Sequence, residues 1–435
     1  MCKVVACLWI TFLTDLFQGT DMALNNPEGS GNGYPQRRGW RSSCGKRRFK
    51  YSDLSLEIIK YLTSLSWVGL PEQLGVRRHL KTCVTYHEKF QLYDLGVNHP
   101  FRGDRFVKSK AFFDEKGLFQ STNVVLMEPK PASKDDLLKV HTEDYVNRIY
   151  RLAELKKPYD IDTPVSSRIL EGARFIVGGV IAAGTAVFER RVNRAVALGG
   201  GFHHAGRSYG GGFCLFNDIA ILIEHLREKS NLKRALVLDY DVHAGNGTSD
   251  IYYSDPGVLY ISLHQDPRTI YPGRGFIHEI GSGEGEGYNV NIPLPMRTGE
   301  KAYLHALEEI FLPLAEEFKP ELIIANGGSD AHFADHLGSL GLTAKGFFKI
   351  SRTITAAAEK ICGGKVVLLV GSGYNITVLP YCWYALAAGV AEPDLTQDVI
   401  EDFFPAPHDP WQNMKQVETV LKKLKIVLRK YWKSF

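Results

Sequence analysis

From residue 82 onward, short β-branched apolar runs alternate with longer stretches in which apolar residues recur every three or four positions. The runs at 82–86, 194–198, 235–240, 258–263, 322–326 and 365–370 predict strands, and the periodic stretches at 168–190, 217–228, 300–318 and 344–361 predict helices. This alternation predicts a single doubly wound α/β domain with a mostly parallel central sheet and helices on both faces. Residues 417–432 are apolar every three or four positions with Lys and Arg between, which predicts an amphipathic helix packed on the body. The first 80 residues lack the pattern. Residues 25–35 (NNPEGSGNGYP) are turn-rich and residues 54–65 predict one short amphipathic helix. The expected plan is a partly disordered extension over 1–80, the main domain over 81–395 and a C-terminal segment over 396–435.

Composition adds detail to this outline. The chain has 435 residues, 44% hydrophobic and 23% charged, which is ordinary for a globular protein. A net charge of +4 argues against a surface built to coat nucleic acid, and no sequence-specific nucleic-acid contact is expected. The excess sits in residues 34–50 (YPQRRGWRSSCGKRRFK), with seven Lys/Arg and no acid; the rest of the chain is at −3, 45 basic residues against 48 acidic ones. A solvated tail, a nuclear-localisation patch and an organelle-targeting segment are the three readings of that stretch, since residues 1–50 hold only Asp15, Asp21 and Glu28 as acids. Seven scattered cysteines without a C-x-x-C pair fit a reducing compartment, cytoplasm or nucleus. No run of ~18 apolar residues is visible, so no membrane span is expected. Residues 4–16, after Lys3, make a poor signal peptide: short, carrying Asp15 and without a small-residue cleavage site.

In doubly wound sheets, ligands bind beyond the carboxyl ends of the strands. After the run at 194–198 come Gly199-Gly200-Gly201-Phe202-His203-His204; read alone, two loop histidines facing water explain this equally well. After the apolar run 235–238, Asp239, Asp241 and His243 fall at period two and so on one side, a donor set suited to a borderline divalent metal such as zinc. After 322–326 comes Asp330, a third candidate ligand that alone would pass for a turn residue. After 365–370 comes Gly371-Ser372-Gly373-Tyr374, a phenol on a glycine loop with no phosphate-binding fingerprint. Together the four strand ends read as a hydrolytic metal site with imidazole bases and an oxyanion donor.

These segments resemble the zinc-dependent histone deacetylase family, which includes acetoin-utilisation proteins and acetylpolyamine amidohydrolases and shares the arginase-like fold. The resemblance rests on GGGFHHAGRSYGGGFCLFND, LDYDVHAGNGT, YISLH, GGSDAHFADHLGSL and GSGYN in that order, preceded by HPFRGDR and HTEDYV. It implies removal of acyl groups from lysine side chains of histones or other proteins, with small acetylated amines as the alternative substrates. One catalytic Zn2+ would be held by Asp241, His243 and Asp330. His203 and His204 would form the histidine pair, backed by Asp239 and Asn246, and Tyr374 would stabilise the oxyanion. Gly212, Phe213, Tyr271 and Leu337 would wall the substrate channel. Arg105 would belong to an internal acetate cavity and Ser262 to a structural K+ site. A co-regulator complex is an implied partner.

The chain departs from the family pattern at Ala244, often His, and at His336, often Pro. Leu337 stands where polyamine-specific members carry an acid, which favours acetyl-lysine. A non-enzymatic member should lack a ligand or the tyrosine, and arginase-type chemistry needs carboxylates around a second metal; neither matches these residues.

Overall fold

The computed structural model describes residues 81–391, 394–406 and 409–435. The expectations for the extension, its linker, its basic stretch and its short helix lie outside the described residues. Eight strands form one sheet: β1 (Thr82–Thr85), β2 (Val124–Met127), β3 (Arg194–Leu198), β4 (Ala235–Asp239), β5 (Val258–Gln265), β6 (Asn289–Leu294), β7 (Leu322–Gly328) and β8 (Val366–Ser372). The helices around it are α1 (Asp104–Glu115), α2 (Lys134–Leu138), α3 (Glu143–Leu155), α4 (Ser167–Phe188), α5 (Asp218–Ser230), α6 (Asn246–Tyr252), α7 (Glu300–Phe318), α8 (Ala344–Cys362), α9 (Leu379–Ala391) and α10 (Met414–Leu428).

All strand pairs are parallel, in the order β2-β1-β3-β8-β7-β4-β5-β6. The central strands β3, β8, β7 and β4 are buried along nearly their whole length, as apolar runs covered on both faces must be. Their carboxyl ends lie side by side, and the four motif loops leave from them. The six predicted strands are present, but β4 stops one residue early. The reason is local: Asp239 Oδ1 accepts the Asp241 N–H at 3.3 Å and Asp241 Oδ1 accepts the His243 N–H at 2.8 Å. Two successive side-chain-to-backbone turns thus carry the chain off the sheet.

β2 and β6 were not expected. Both are edge strands, and β6 (NVNIPL) includes Pro293, which an edge tolerates because one side of the strand makes no ladder. α10 packs on α7 through Val417, Leu421, Leu424 and Leu428, the expected amphipathic face. α4 is an apolar core helix. It has the length and apolar composition to cross a membrane, although Arg168, Glu171 and Arg174 near its start hide this in the sequence. Most of it is buried in the domain, where a Cβ on Gly178 would run into the Lys130 carbonyl.

His141, from the HTEDYV segment, ties the loop before α3 to the start of α5. Its Nδ1 faces the Gly206 carbonyl at 2.9 Å and its Nε2 accepts the Asn217 N–H at 3.0 Å. Burial pulls its pKa down to about 4. A histidine held neutral in the fold and free to charge when unfolded contributes stability in full above about pH 6.5. That contribution is lost as pH falls from there toward 4. Between pH 7 and pH 5 this amounts to about 2 kcal/mol. Urea unfolding at both pH values should show that loss in the parent and a clearly smaller one in His141→Asn.

Candidate active site

Asp241 and His243 leave the end of β4 and Asp330 leaves the end of β7, and all three are buried. One donor atom from each lies within 4.8 Å of the others. His243 Nδ1 is 3.0 Å from Asp241 Oδ1 and 3.6 Å from Asp330 Oδ2. Asp330 Oδ1 accepts the Val242 N–H at 3.2 Å, whereas its buried Oδ2 has no hydrogen-bond partner. Burial and the adjoining Asp241 carboxylate push the Asp330 carboxyl up to about 8. Two buried carboxylates with one orphaned oxygen fit a divalent cation, which would relieve both the burial cost and the mutual repulsion.

His203 and His204 follow the glycine turn after β3. His203 Nδ1 meets Asp239 Oδ2 at 2.8 Å, and His204 Nδ1 meets Asn246 Oδ1 at 2.7 Å. The two Nε2 atoms are 3.1 Å apart. Asp239 is itself held by the Asn326 amide at 3.0 Å and the Tyr260 hydroxyl at 2.9 Å. The two imidazoles are driven apart electrostatically. Burial lowers the pKa of His203, but the Asp239 and Asp241 carboxylates outweigh it and raise it to about 9. Burial, together with His203 and His243, holds His204 well below the ordinary histidine range. His204 is therefore neutral, with Nδ1–H given to Asn246 and Nε2 left as the basic atom.

Tyr374, on the loop after β8, packs its ring 6.1 Å from His243 and 5.7 Å from Phe213. Burial and the Asp241 and Asp330 carboxylates raise its pKa well above 10, so it stays a protonated donor. Sequence reasoning missed the residue that fixes this loop. Asp335 Oδ2 accepts the Tyr374 N–H at 2.7 Å and the Asn375 N–H at 3.2 Å, while its Oδ1 accepts Leu337 N–H at 2.9 Å. Asp218 was missed too: its carboxylate takes the Gly201 and Phe202 N–H groups, each at 2.8 Å, and so sets the turn before His203. In the sequence both look like ordinary turn or helix-start acids. Asp335 does fall in the same polar segment as Asp330.

A cleft of about 260 Å³ leads to these groups, lined by His204, Gly212, Phe213, His243, Tyr271, Leu337, Tyr374 and, unexpectedly, Asp162. Gly212 is at φ +52°, and a Cβ there would sit 2.5 Å from His204 Cδ2, so only glycine fits beside the histidine. Tyr271 stands edge-on to His204 at 4.9 Å. Behind the histidines lies a cavity of about 20 Å³, walled by Phe101, Gly199–Gly201 and Ser372 among others. Arg105 is buried on α1 beside this cavity, stacked on Phe101 and donating to the Gly371 carbonyl at 3.0 Å and the Pro100 carbonyl at 2.9 Å. Ser262 pairs with Asp239 across β4 and β5, and its hydroxyl is taken by His264 Nδ1 at 2.8 Å.

Comparison with known proteins gives the family. Residues 99–390 match the Histone deacetylase domain. The chain belongs to the histone deacetylase family. A "Probable deacetylase" of Archaeoglobus fulgidus is 38% identical over 363 residues, covering 81% of this chain and 99% of that protein. The "Acetoin utilization protein AcuC" of Bacillus subtilis is 32% identical over 372 residues, 78% of this chain and 95% of its own length. The crystal structure of the HDA15 HD domain superposes with a TM-score of 0.71 at 28% identity, covering 82% of this chain and 97% of that one. As a member of the histone deacetylase family, the chain is a hydrolase acting on an acetylated substrate, built on the arginase-like fold.

Proposed function

We propose that this deacetylase is zinc-dependent and acts on acetylated lysine side chains of histones or other proteins. The observation that carries the reading is the orphaned Asp330 oxygen in a buried Asp-His-Asp group, set against a histidine pair whose second member is neutral. Zinc on Asp241, His243 and Asp330 would supply a water of pKa ~7 and Lewis acidity toward the amide carbonyl. The rest is done by the chain's own side chains. His204 Nε2 takes the proton from the attacking water and returns it to the leaving amine. Asn246 keeps that nitrogen free by accepting the proton on Nδ1, and Asp239 orients His203 in the same way. The Tyr374 hydroxyl donates to the developing oxyanion. The same reading keeps Arg105 as a wall of an acetate cavity and a K+ ion at Ser262, which stands opposite Asp239.

Leu337, apolar and 39% exposed, and the Tyr271 ring favour an aliphatic lysine stem at the mouth. Asp162 supports the second reading, a small acetylated polyamine, because its carboxylate would give a cationic amine a counter-charge. One assay separates the two. Acetyl-lysine peptides should exceed acetylputrescine in kcat/KM by at least about tenfold, a difference of ~1.4 kcal/mol. A reversed ratio, collapsing in Asp162→Asn, would establish the polyamine reading instead. The basic stretch at 34–50 is proposed as an addressing signal to nucleus or organelle, to be read from fluorescent fusions of residues 1–80.

A further inference from the structure

We infer that Asp402, on the strap between α9 and α10, is a positioning residue for Tyr374 that acts through the turn at His332–Asp335. The inference rests on the reading of Tyr374 as oxyanion donor. It goes further because Asp402 lies beyond residues 99–390, the part of the chain that matches the family domain.

His332 is fully buried two residues after Asp330. Its Nδ1 lies 3.1 Å from the Ala334 N–H, which it accepts, so the proton of the neutral ring is on Nε2. That nitrogen faces both oxygens of Asp402, at 3.0 and 3.2 Å. Asp402 thereby selects the tautomer that lets the ring close the turn onto Ala334. The turn is completed by Asp335 N–H to the His332 carbonyl at 3.0 Å. It bears directly on the tyrosine loop. Asp335 accepts the Tyr374 and Asn375 N–H groups, and the Asn375 side chain donates to the Ala334 carbonyl at 2.7 Å. An unbroken series of hydrogen bonds therefore runs from Asp402 to the backbone of Tyr374.

The strap is anchored independently of His332. Ile400 is buried, Glu401 pairs with Lys116 at 2.6 Å, Phe403 packs on Tyr381 with ring centres 5.7 Å apart, and Asp402 Oδ2 accepts the Ala344 N–H at 2.8 Å. Its carboxylate is thus held in place to orient the ring. With Asp402 gone, the buried Nε2–H loses its acceptor, only the Ala334 N–H is left to favour that tautomer, and the turn that carries Asp335 is held less firmly.

The test uses the full chain loaded with zinc and an acetyl-lysine peptide. Asp402→Ala should lower kcat about tenfold with KM within about twofold, as loss of an outer-shell partner does. Asp402→Asn keeps an acceptor for Nε2–H and should stay within about threefold of the parent. The decisive comparison is in Tyr374→Phe, itself lowered by about 10²–10³. There Asp402→Ala should cost nothing more, because the hydroxyl it positions is absent. An equal tenfold loss in both backgrounds overturns the inference, as does a tenfold fall in zinc affinity by chelator competition, which would place the action at Asp330. Should Asp402→Ala fail to fold, His332→Asn and His332→Leu decide. The Asn side chain can still accept the Ala334 N–H and should retain activity, while Leu should not. Equal loss in both refutes the role of the turn. If Tyr374→Phe keeps parental activity, the site reading itself fails. If it falls while Asp402→Ala matches the parent, only the positioning role fails.

Discussion

Dialysis against a strong chelator is expected to bring turnover to the background rate, and one equivalent of zinc to restore it. The expectation comes from the charge arrangement around Asp330. Two carboxylates and an imidazole face one buried point, and Asp330 Oδ2 has no hydrogen-bond partner. Groups so placed are stable together only when a cation joins them. Metal loss should therefore also cost folding stability. A ligand at a thousand times its Kd adds about 4 kcal/mol, so the melting temperature should drop on stripping and recover with zinc. Asp330→Ala gives the converse control. It should abolish activity and remove most of the zinc-dependent gain in melting temperature, because the cation loses one of its three donors. Elemental analysis and melting curves of the two proteins, with and without chelator, check both statements. Full activity after complete metal removal would exclude the proposed chemistry.

His204→Gln is expected to lower kcat by about 10²–10⁴ with KM nearly unchanged. The glutamine can fill part of the space beside Gly212, but it has no nitrogen that accepts a proton at neutral pH. The matching change in the neighbouring ring should be milder, since His203 is driven toward its charged form by Asp239 and Asp241 and serves as an electrostatic partner. Steady-state kinetics on one acetyl-lysine peptide would show the asymmetry. Equal losses at His203 and His204 would mean that the two share the proton, contrary to the assignment from Asn246 and Asp239.

Which parts were legible in the sequence follows from what each residue contacts. β3, β4, β7 and β8 were visible because strands covered on both faces must be apolar throughout, and the polar residues that end them stand out. β6 alternates Asn with apolar residues, since Asn289 and Asn291 turn their amides to the Glu279 carbonyl. That left no apolar run to find. α9 (LPYCWYALAAGVA) is buried on nearly all sides and so shows no helical period. The candidate ligands and the histidine pair, which the fold brings together, stood out because they cluster at and just past strand ends. Asp218, Asp335 and Asp402 did not, because their partners are backbone amides or a ring far along the chain. A turn acid and an acid that clamps a distant loop look identical in sequence. Asp162 was hidden for the same reason: only the folded loop brings it to the cleft.

The position of β8 bears on how such a chain is made. It is the last strand synthesised, yet it lies between β3 and β7. Until it leaves the ribosome, β2-β1-β3 and β7-β4-β5-β6 are two separate half-sheets, each with an open apolar edge. Such edges invite pairing with other chains, so the nascent protein is exposed to aggregation until β8 has emerged and paired. The three proposed metal ligands all leave the second half-sheet, whereas the histidine pair leaves the first. On the proposed reading, the ligand set and the histidine pair come together only when the keystone strand joins the two halves and brings Tyr374 with it.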